Sequence, residues 1–585
     1  MKQLEIAARF SQIADLLEYR GENIFRIRAY RRAAQSLESF GGDVGTLAAQ
    51  GRLREIPGIG EDLAAKIIEY LATGAIAALK RLTRAVPPGL LDLLAVPGVG
   101  PKTAKVLYDR LRISTLAQLE RAAREHQLRA LPGFQQKKED NILKGIAIVK
   151  RGRERMHLGI ALPLAHELLA FLRKVPGVSR VSTAGSLRRM KETIGDVDLL
   201  ASSTTPAKVI RAFTQASFCV RILLAGDTKA SILTRQGVQV DVRVVAPESF
   251  GAALQYFTGS KEHNVRLREL ANRQGLKVNE YGVFRLKTNA RVAGREEADV
   301  YRALELPWIP PELREDHGEI DAAKAGRLPS LVAASDVKGD FHIHSLWSDG
   351  RGKLEELLGA ANDRGYEYLA ICDHSRSLRI AHGMSIAQLH RQMAAIRALN
   401  ATSRRCRLLM GAEVDILVDG AMDYPDAVLA ELDFVVGSIH SGFQQDEAVI
   451  TRRIVTAMRN RYVTMIAHPT GRLIGERDPY AVDLETVFAA AKETRTVLEI
   501  NASPHRLDLN DAAARRAREL GVLLAVSTDT HALGEMDHMA IGLATARRAW
   551  CEPRHVLNCL PLNRLLAWIG QKRSTAPVRV ARRRR

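Results

Sequence analysis

Two groups of residues in this chain have types and spacings that could do chemistry. In AGSLRRMKETIGDVDLLAS, Asp196 and Asp198 lie two residues apart at the start of an apolar run. Side chains alternate faces along a strand, so both carboxylates point the same way. In VQVDVRVV, Val240, Val242 and Val244 form one face and leave Gln239, Asp241 and Arg243 on the other. If the two strands are neighbours, Asp241 completes a three-carboxylate cluster that is costly without cations and that two Mg²⁺ ions would neutralise. Metals held by carboxylates suit in-line phosphoryl transfer. Upstream, Gly185, Ser186 and Arg189 offer a tight turn, a hydroxyl and a guanidinium for triphosphate oxygens. A lone Asp-x-Asp is usually a solvated strand edge. The Gly-Ser before it and the third aspartate after it make the pattern far more specific.

The second group begins at GDFHIHSLWSDG, where His342 and His344 share a strand face and Asp349 follows. YLAICDH ends at His374, LLMGAEVD carries Glu413, FVVGSIH ends at His440 and TMIAHPTG supplies His468. VLLAVSTDTH adds Asp529 and His531. Imidazole and carboxylate without thiolate fit Zn²⁺, Mn²⁺ or Fe²⁺. One strand-end histidine is more often structural; six with three acids in the same register point to a metal centre.

These residues need elements to hold them. From Asp340 onward, apolar strand, loop and amphipathic helix alternate, with candidate strands at 339–344, 367–372, 407–413, 432–439, 463–467, 496–501 and 521–528. Such alternation predicts parallel βα units, and so many in series predict a barrel, in which catalytic groups collect at the C-terminal strand ends. Short β-rich runs separated by a helix near 206–217 occupy about 178–250, and a smaller mixed segment follows to about 308. The stretch LPWIPPELREDHGEIDAAKAGRLPSLV lacks an apolar period and reads as a connector over a surface.

Residues 1–150 read as all-helical and contain a near-repeat, LREIPGIGEDLAAKI at 53–67 and LLAVPGVGPKTAKVL at 93–107. In each, Pro-Gly-x-Gly precedes a new helix. Gly58, Gly60, Gly98 and Gly100 would let backbone N–H groups approach DNA phosphates, which position without reading sequence. A third copy, LPGFQQKKEDNIL, has Gln135 in place of the second glycine.

Composition agrees with a polyanionic partner. Lys and Arg outnumber Asp and Glu by 86 to 66, a net charge of +20, which favours nucleic acid over membrane. Part of the excess is Lys572, Arg573, Arg579, Arg582, Arg583, Arg584 and Arg585, expected as a disordered basic tail. With 585 residues the chain should hold about three to five domains. Its five cysteines form no CxxC pair, which excludes a thiolate zinc cluster and suggests a reducing cytoplasm. No apolar run is long enough to span a membrane, and the N-terminus reads as an amphipathic helix and not as a signal peptide.

Residues 1–315 resemble the family X DNA polymerases, the group that includes DNA polymerase beta; the resemblance rests on the hairpins, the GS…DVD motif and YFTGSKEHNVRLRELANRQGLKVNEYGVF at 256–284. It implies that Gly195 joins the nucleotide contacts, that Tyr256, Phe257 and Gly259 line the incoming sugar, that Asn264 meets the base on its minor-groove edge and that Arg268 meets the template side. Members that trim 5′-deoxyribose phosphate use a Schiff-base lysine after the first hairpin. Lys66 falls there, but other basic positions of that pocket are Arg26, Asp62 and Ala78, which favours an ordinary helix lysine. Residues 336–570 resemble the PHP domain, a distorted (β/α)7 barrel with a three-metal site. That resemblance assigns His342, His344, Glu413 and Asp529 to one metal, Glu413, His440 and His468 to a second, and Asp349, His374 and His531 to a third. The usual threonine before Asp373 is Cys372 here.

The expected architecture is therefore multidomain. A helical DNA-end-binding domain with the first hairpin spans 1–80 and a fingers-like helix-hairpin-helix domain 81–150. An α/β nucleotidyltransferase palm spans 151–255, a small thumb 256–315 and a linker 316–335. The PHP phosphoesterase barrel spans 336–570, and the basic tail 571–585. The resemblance implies a monomeric, cytoplasmic, nucleoid-associated DNA-directed DNA polymerase that fills short gaps in base excision repair from dNTPs on gapped or nicked double-stranded DNA. Two Mg²⁺ ions would serve polymerisation, and up to three Mn²⁺ or Zn²⁺ ions a 3′→5′ exonuclease with AP endonuclease or 3′-phosphoesterase activity. The competing reading is a phosphoesterase of small phosphomonoesters tethered to DNA by its N-terminal half.

Overall fold

The computed structural model describes residues 2–39, 44–56, 58–73, 75–87, 89–94, 96, 99–131, 134–151 and 155–574. The chain divides into two compact units, one of Met1–Arg155, Ala216–Ala225 and Ala230–Gln239, the other of Met156–Gln215, Gly226–Lys229 and Val240–Arg585.

Among its described residues the first unit is helical apart from an antiparallel hairpin, Cys219–Ala225 with Lys229–Thr234, of which it contains all but the turn and Lys229. Its first helix, Lys2–Tyr19, serves two apolar clusters. Ile6, Phe10, Ile13 and Leu17 recur at helical spacing and pack with residues as far as Ala78, whereas Leu16 and Tyr19 join Leu90 to Ile146.

In the second unit, strands β1 (Val178–Thr183), β2 (Val197–Ser203) and β3 (Gln239–Val245) lie side by side in that order, β1 antiparallel and β3 parallel to β2. Helices Phe250–Thr258 and Lys261–Arg273 lead to a small antiparallel sheet of Leu276–Asn279, Gly282–Arg285 and Arg291–Ala293.

Seven parallel strands follow: β4 (Gly339–Ile343), β5 (Tyr368–Ile371), β6 (Arg407–Asp415), β7 (Phe434–Ser438), β8 (Met465–Ile466), β9 (Val497–Asn501) and β10 (Leu524–Ser527). Each pairs with the next, and a parallel bridge between Ile343 and Thr530 returns the end of the sheet to its start. Alternate strand positions fall into two clusters. Leu369, Ile371, Leu408, Val435, Leu498 and Val526 pack against the surrounding helices. Phe341, Ala370, Leu409, Phe434, Met465, Val497 and Ala525 fill the interior, closed by Leu565 and Ile569 of helix Leu562–Ser574. Phe341 stacks on Phe434 with ring centroids 4.7 Å apart, a solid floor beneath the C-terminal strand ends.

Two expectations need correction. The proline-rich stretch is not a connector lying over a surface. Ile309, Leu313, Ile320 and Ala323 are buried with Val300, Tyr301 and Trp550, and Glu319–Lys324 is a helix. The apolar residues lack a common period because they are spread over short elements, Leu313 on the turn Pro311–Leu313 and Ile320 with Ala323 on the short helix. Lys572 and Arg573, expected in the basic tail, instead lie in the last turn of the last helix. The Lys572 ammonium donates to the Thr494 carbonyl and Thr496 Oγ1, each at 2.9 Å, and Arg573 caps the Leu432 and Asp433 carbonyls. Residues 575–585 lie outside the described ones.

Burial, with the nearby Arg495 guanidinium, pushes the Lys572 ammonium down to about 7. Between that value and its ordinary 10.5 the folded chain binds fewer protons than the unfolded one, so stability rises with pH across the interval. Replacing Lys572 by Met removes this contribution. Thermal unfolding midpoints between pH 7 and 10 should climb less steeply for K572M than for wild type; equal slopes would contradict the assignment.

Candidate metal centres and nucleic-acid contacts

The parallel register of β2 and β3 sets Asp198 directly opposite Asp241, with Asp196 one residue before β2. Val240, Val242 and Val244 are buried at the back of β3, which turns Asp241 to the front. Oxygens of the three aspartates lie within 4.8 Å of one another. Burial, with the charges of Asp196 and Asp241, pushes the Asp198 carboxyl up to about 7, against the pull of Arg189 and Lys229. That is the cost of three carboxylates at one point, and a divalent cation relieves it.

Gly185 is required by this arrangement. Its φ is +58°, and a Cβ there would fall 1.9 Å from Asp198 Oδ2. The Ala184 N–H donates to the Asp198 carbonyl at 2.8 Å, so the turn carrying Gly185 and Ser186 is laced to the acidic strand, while Gly195 is exposed just before Asp196. Arg189 Nε donates to Glu315 at 3.0 Å, and its Nη1 donates to the Thr258 carbonyl at 2.5 Å. Thr258 ends the helix carrying Tyr256 and Phe257, whose rings meet edge-on at 5.1 Å, and Gly259 follows with φ +68°. Asn264 Nδ2 donates to the Tyr256 carbonyl at 2.7 Å, and Arg268 Nε to the Asn264 carbonyl at 3.2 Å. Hydrogen bonds thus tie Arg189 to the end of the helix carrying Tyr256 and Phe257, and Asn264 and Arg268 to that helix in turn.

At the barrel mouth five of the expected histidines surround Glu413, and His344, His374 and His531 also meet Asp349 or Asp529. His374 Nδ1 is 2.8 Å, His468 Nε2 3.1 Å, His440 Nε2 3.4 Å and His342 Nε2 3.5 Å from the Glu413 carboxylate. His344 Nε2 is 3.2 Å from Asp529, and His531 Nε2 3.4 Å from Asp349. Ligand atoms close enough to share an ion form three sets: His342, His344 and Asp529; His374, Glu413 and His440; and His344, Asp349, His374 and His531. This differs from the expected division. His344 and His374 each bridge two sets, and His468 reaches Glu413 alone. His342 Nε2, both nitrogens of His344, His374 Nδ1 and Glu413 Oε2 are buried with no hydrogen-bond partner among the described residues. Orphaned lone pairs aimed at common points fit divalent metal ions.

The charges fit as well. Burial opposes a charge on His374, but Glu413 and Asp349 push it up to about 10; Glu413 and Asp415 likewise push His440 up to about 9. His531, beside Asp349 and Asp529, rises to about 9. His344, buried between the rings of His374 at 4.4 Å and His531 at 4.2 Å, falls to about 3. The carboxylates attract positive charge, which protons and metal ions compete to supply.

Several residues escaped the sequence reading. Glu499 accepts from His342 Nδ1 at 2.8 Å, Asp415 from His440 Nδ1 at 2.6 Å, and the Asp529 carbonyl from His531 Nδ1 at 2.8 Å. Each orients an imidazole so that Nε2 faces the centre. The Asp373 carboxylate holds Ser345 and Ser348, fixing the loop that carries Asp349. Cys372 is buried and its thiol donates to the Phe341 carbonyl at 3.2 Å. His468 and Asp529 adopt positive φ, +28° and +54°, strain of the kind that gathers at functional sites.

In the helical unit, Gly60 and Gly100 immediately precede helices Glu61–Thr73 and Pro101–Leu111, and a Cβ on either would meet nothing within 4 Å. Packing does not demand glycine there, so the open backbone is free for an outside partner. Gly58 has φ +81° and faces Arg32; Gly98 lies outside the described residues. Lys66 is not a fully exposed helix lysine: its side chain is 15% exposed and its ammonium lies 2.5 Å from Asp62.

Three outcomes follow from this geometry. Glu499→Gln should lower metal affinity of the barrel about 10- to 100-fold without unfolding it, measured by competition with a chelator. Because metal displaces protons from His374, His440 and His531, Mn²⁺ binding followed by calorimetry should strengthen from pH 6 to 8 and release protons to the buffer; pH-independent binding would contradict the charge assignment. Gly60→Val with Gly100→Val should leave thermal unfolding unchanged yet reduce the slope of log K against log salt for DNA by roughly 0.9 per lost phosphate contact.

Comparison with known proteins matches this anatomy. Residues 1–76 match a helix-hairpin-helix domain, 90–147 a SAM-like helix-hairpin-helix tandem, 253–315 the DNA polymerase beta thumb and 340–503 the PHP domain. The DNA polymerase/3′-5′ exonuclease PolX of Bacillus subtilis is 38% identical over 571 residues, 97% of this chain and 99% of that protein. Probable phosphatases of Thermoanaerobacter sp. and Caldanaerobacter subterraneus are 27% and 34% identical over 37% and 33% of this chain, covering 89% and 75% of their own lengths. With helix-hairpin-helix, thumb and PHP regions in one order, and this similarity running nearly from end to end, the chain belongs to the PolX group of family X DNA polymerases.

Proposed function

We propose that this polymerase fills short gaps during DNA base excision repair and also degrades DNA from 3′ ends, the two reactions occupying separate sites. The observation that carries this is the existence of two donor clusters with no residue in common, Asp196, Asp198 and Asp241 in one and His342, His344, Asp349, His374, Glu413, His440, Asp529 and His531 in the other. Divalent cations held there would supply the Lewis acidity and nucleophile activation that phosphoryl transfer requires.

The three aspartates hold the charge of the polymerase centre, and an all-oxygen set suits two Mg²⁺ ions. Gly185 and Ser186 bring backbone and hydroxyl against the phosphates of a dNTP. Arg189 adds positive charge, while Tyr256, Phe257, Gly259, Asn264 and Arg268 form a wall for sugar, base and template. The Gly58, Gly60, Gly98 and Gly100 hairpins grip the phosphates of gapped or nicked duplex DNA. In the barrel, the imidazole-rich set suits Mn²⁺ or Zn²⁺ over Mg²⁺, with up to three ions. His531 and Asp349, the more exposed ligands, mark the side from which a strand end enters. The name of the Bacillus relative supports 3′→5′ hydrolysis, and AP-site or 3′-phosphate cleavage calls on the same centre. A single chain suffices for both sites, in keeping with a monomer acting at the nucleoid. No helix among the described residues is long and apolar enough to cross a membrane. The ion pair of Lys66 with Asp62 supports the reading of Lys66 as a helix lysine over that of a Schiff-base nucleophile, which borohydride trapping tests.

A second reading, hydrolysis of small phosphomonoesters by the barrel, is favoured by the likeness to probable phosphatases over a third of the chain. Primer extension and degradation on gapped DNA bearing a 5′-phosphate separate the readings. Asp196→Ala or Asp241→Ala should abolish extension and spare degradation. His344→Ala should cut degradation by orders of magnitude and spare gap filling, with Mn²⁺ outperforming Mg²⁺ in degradation only. Loss of both activities in Asp196→Ala would refute separate sites. Wild-type turnover of p-nitrophenyl phosphate without 3′ degradation would favour the second reading. Borohydride trapping at a 5′-deoxyribose phosphate should yield no adduct dependent on Lys66.

A further inference from the structure

We propose that Arg548, a barrel residue, is a positioning residue for nucleotide binding at the polymerase site. It ends helix Met539–Arg548 and is almost wholly buried, its side chain 4% exposed. Nη1 donates to the Arg189 carbonyl at 2.8 Å and to Glu315 Oε1 at 3.0 Å. On its other side, Nε and Nη2 meet Asp511 Oδ2 at 2.8 and 2.6 Å. Glu315 in turn receives Arg189 Nε at 3.0 Å, with the Lys191 ammonium at 3.9 Å. The result is an alternating file of charges, Asp511, Arg548, Glu315 and Arg189, running from the start of barrel helix Asp511–Glu519 to the turn beside the aspartate cluster.

Both handles on Arg189 pass through this file. Arg548 fixes its backbone carbonyl directly and its guanidinium through Glu315, while the Thr258 carbonyl takes Nη1. Two of its three nitrogens are thereby held, and the guanidinium plane is set before a nucleotide arrives. A preset cation binds a triphosphate without first losing the rotamer freedom of a long side chain. An arginine suits the task, since separate nitrogens of its planar fork reach Asp511 on one side and Glu315 with the Arg189 carbonyl on the other, whereas all the donors of a lysine ammonium sit on one atom. Adjacent contacts hold the same seam: Arg472 Nη2 to Glu192 at 2.7 Å and Arg547 Nε to Glu312 at 2.7 Å.

The proposal rests on the reading that Arg189 meets the triphosphate. Single-nucleotide gap filling by the full chain, with KM for dNTP and kcat measured separately, tests it. Arg548→Lys and the isosteric Glu315→Gln should each raise KM at least tenfold while kcat stays within about threefold. Their 3′ degradation should equal wild type, and the double variant should be no worse than the more impaired single one, as members of one file are not additive. Arg548→Met should be at least as impaired as Arg548→Lys. If Arg189→Ala leaves KM unchanged, the reading of Arg189 fails. If Arg189→Ala raises KM but Glu315→Gln and Arg548→Lys, both folded by circular dichroism, leave it within twofold of wild type, the positioning role is overturned.

Discussion

Crowding of like charges and orphaned lone pairs at two points is the constraint on which the rest of this structure depends. Three carboxylate groups within 4.8 Å, and imidazoles crowded around three acids, are arrangements whose charge protons or shared cations must relieve. The scaffold is organised to impose them. The parallel register of two strands places Asp198 opposite Asp241, and a barrel with a floor of Phe341, Tyr368 and Phe434 leaves its mouth to polar groups. Around the mouth, Glu499 and Asp415 grip imidazoles from behind, so the rotamers that aim lone pairs inward are fixed by hydrogen bonds.

The two clusters differ in donor chemistry. An all-carboxylate set beside a glycine turn offers hard oxygen donors, and an imidazole-rich set with one central glutamate offers the softer donors that suit transition metals, which is the basis of the division of labour proposed above. Between them lies a seam of buried ion pairs, Arg548 with Glu315 and Asp511 foremost, that belongs to neither centre. Burying such charges is costly and breaking one partner costs more, so the seam enforces one relative placement of thumb segment and barrel.

Much of this was legible in the chain itself. The period of two in VQVDVRVV set the face of Asp241, and strand-end positions pointed to the imidazoles and carboxylates that the fold gathers at the barrel mouth, eight of which fall into groups that could share an ion. What could not be read depends on distance across the fold. Glu499 orients His342 from a strand 157 residues away, and Arg548 reaches Arg189 across 359 residues. No local pattern marks such partners. Metal grouping escaped for a related reason: His344 and His374 use two nitrogens toward different neighbours, a matter of ring orientation and not of spacing. The hairpin at 219–234 went unmarked because Val220, Ile222 and Leu224 face outward, so its apolar residues signal no buried face. Lys572 and Arg573 looked like tail residues, yet backbone carbonyls left by other elements draw them into the fold.

The central claim is that both clusters exist to hold divalent cations, each at its own place. Anomalous X-ray diffraction from crystals of the full chain grown with Mn²⁺ tests it most directly. The account predicts anomalous peaks in two separate regions, one bounded by Asp196, Asp198 and Asp241, the other by the nine ligands around Glu413. Peaks absent from either region, with the side chains of that region still converging as they do here, would contradict it.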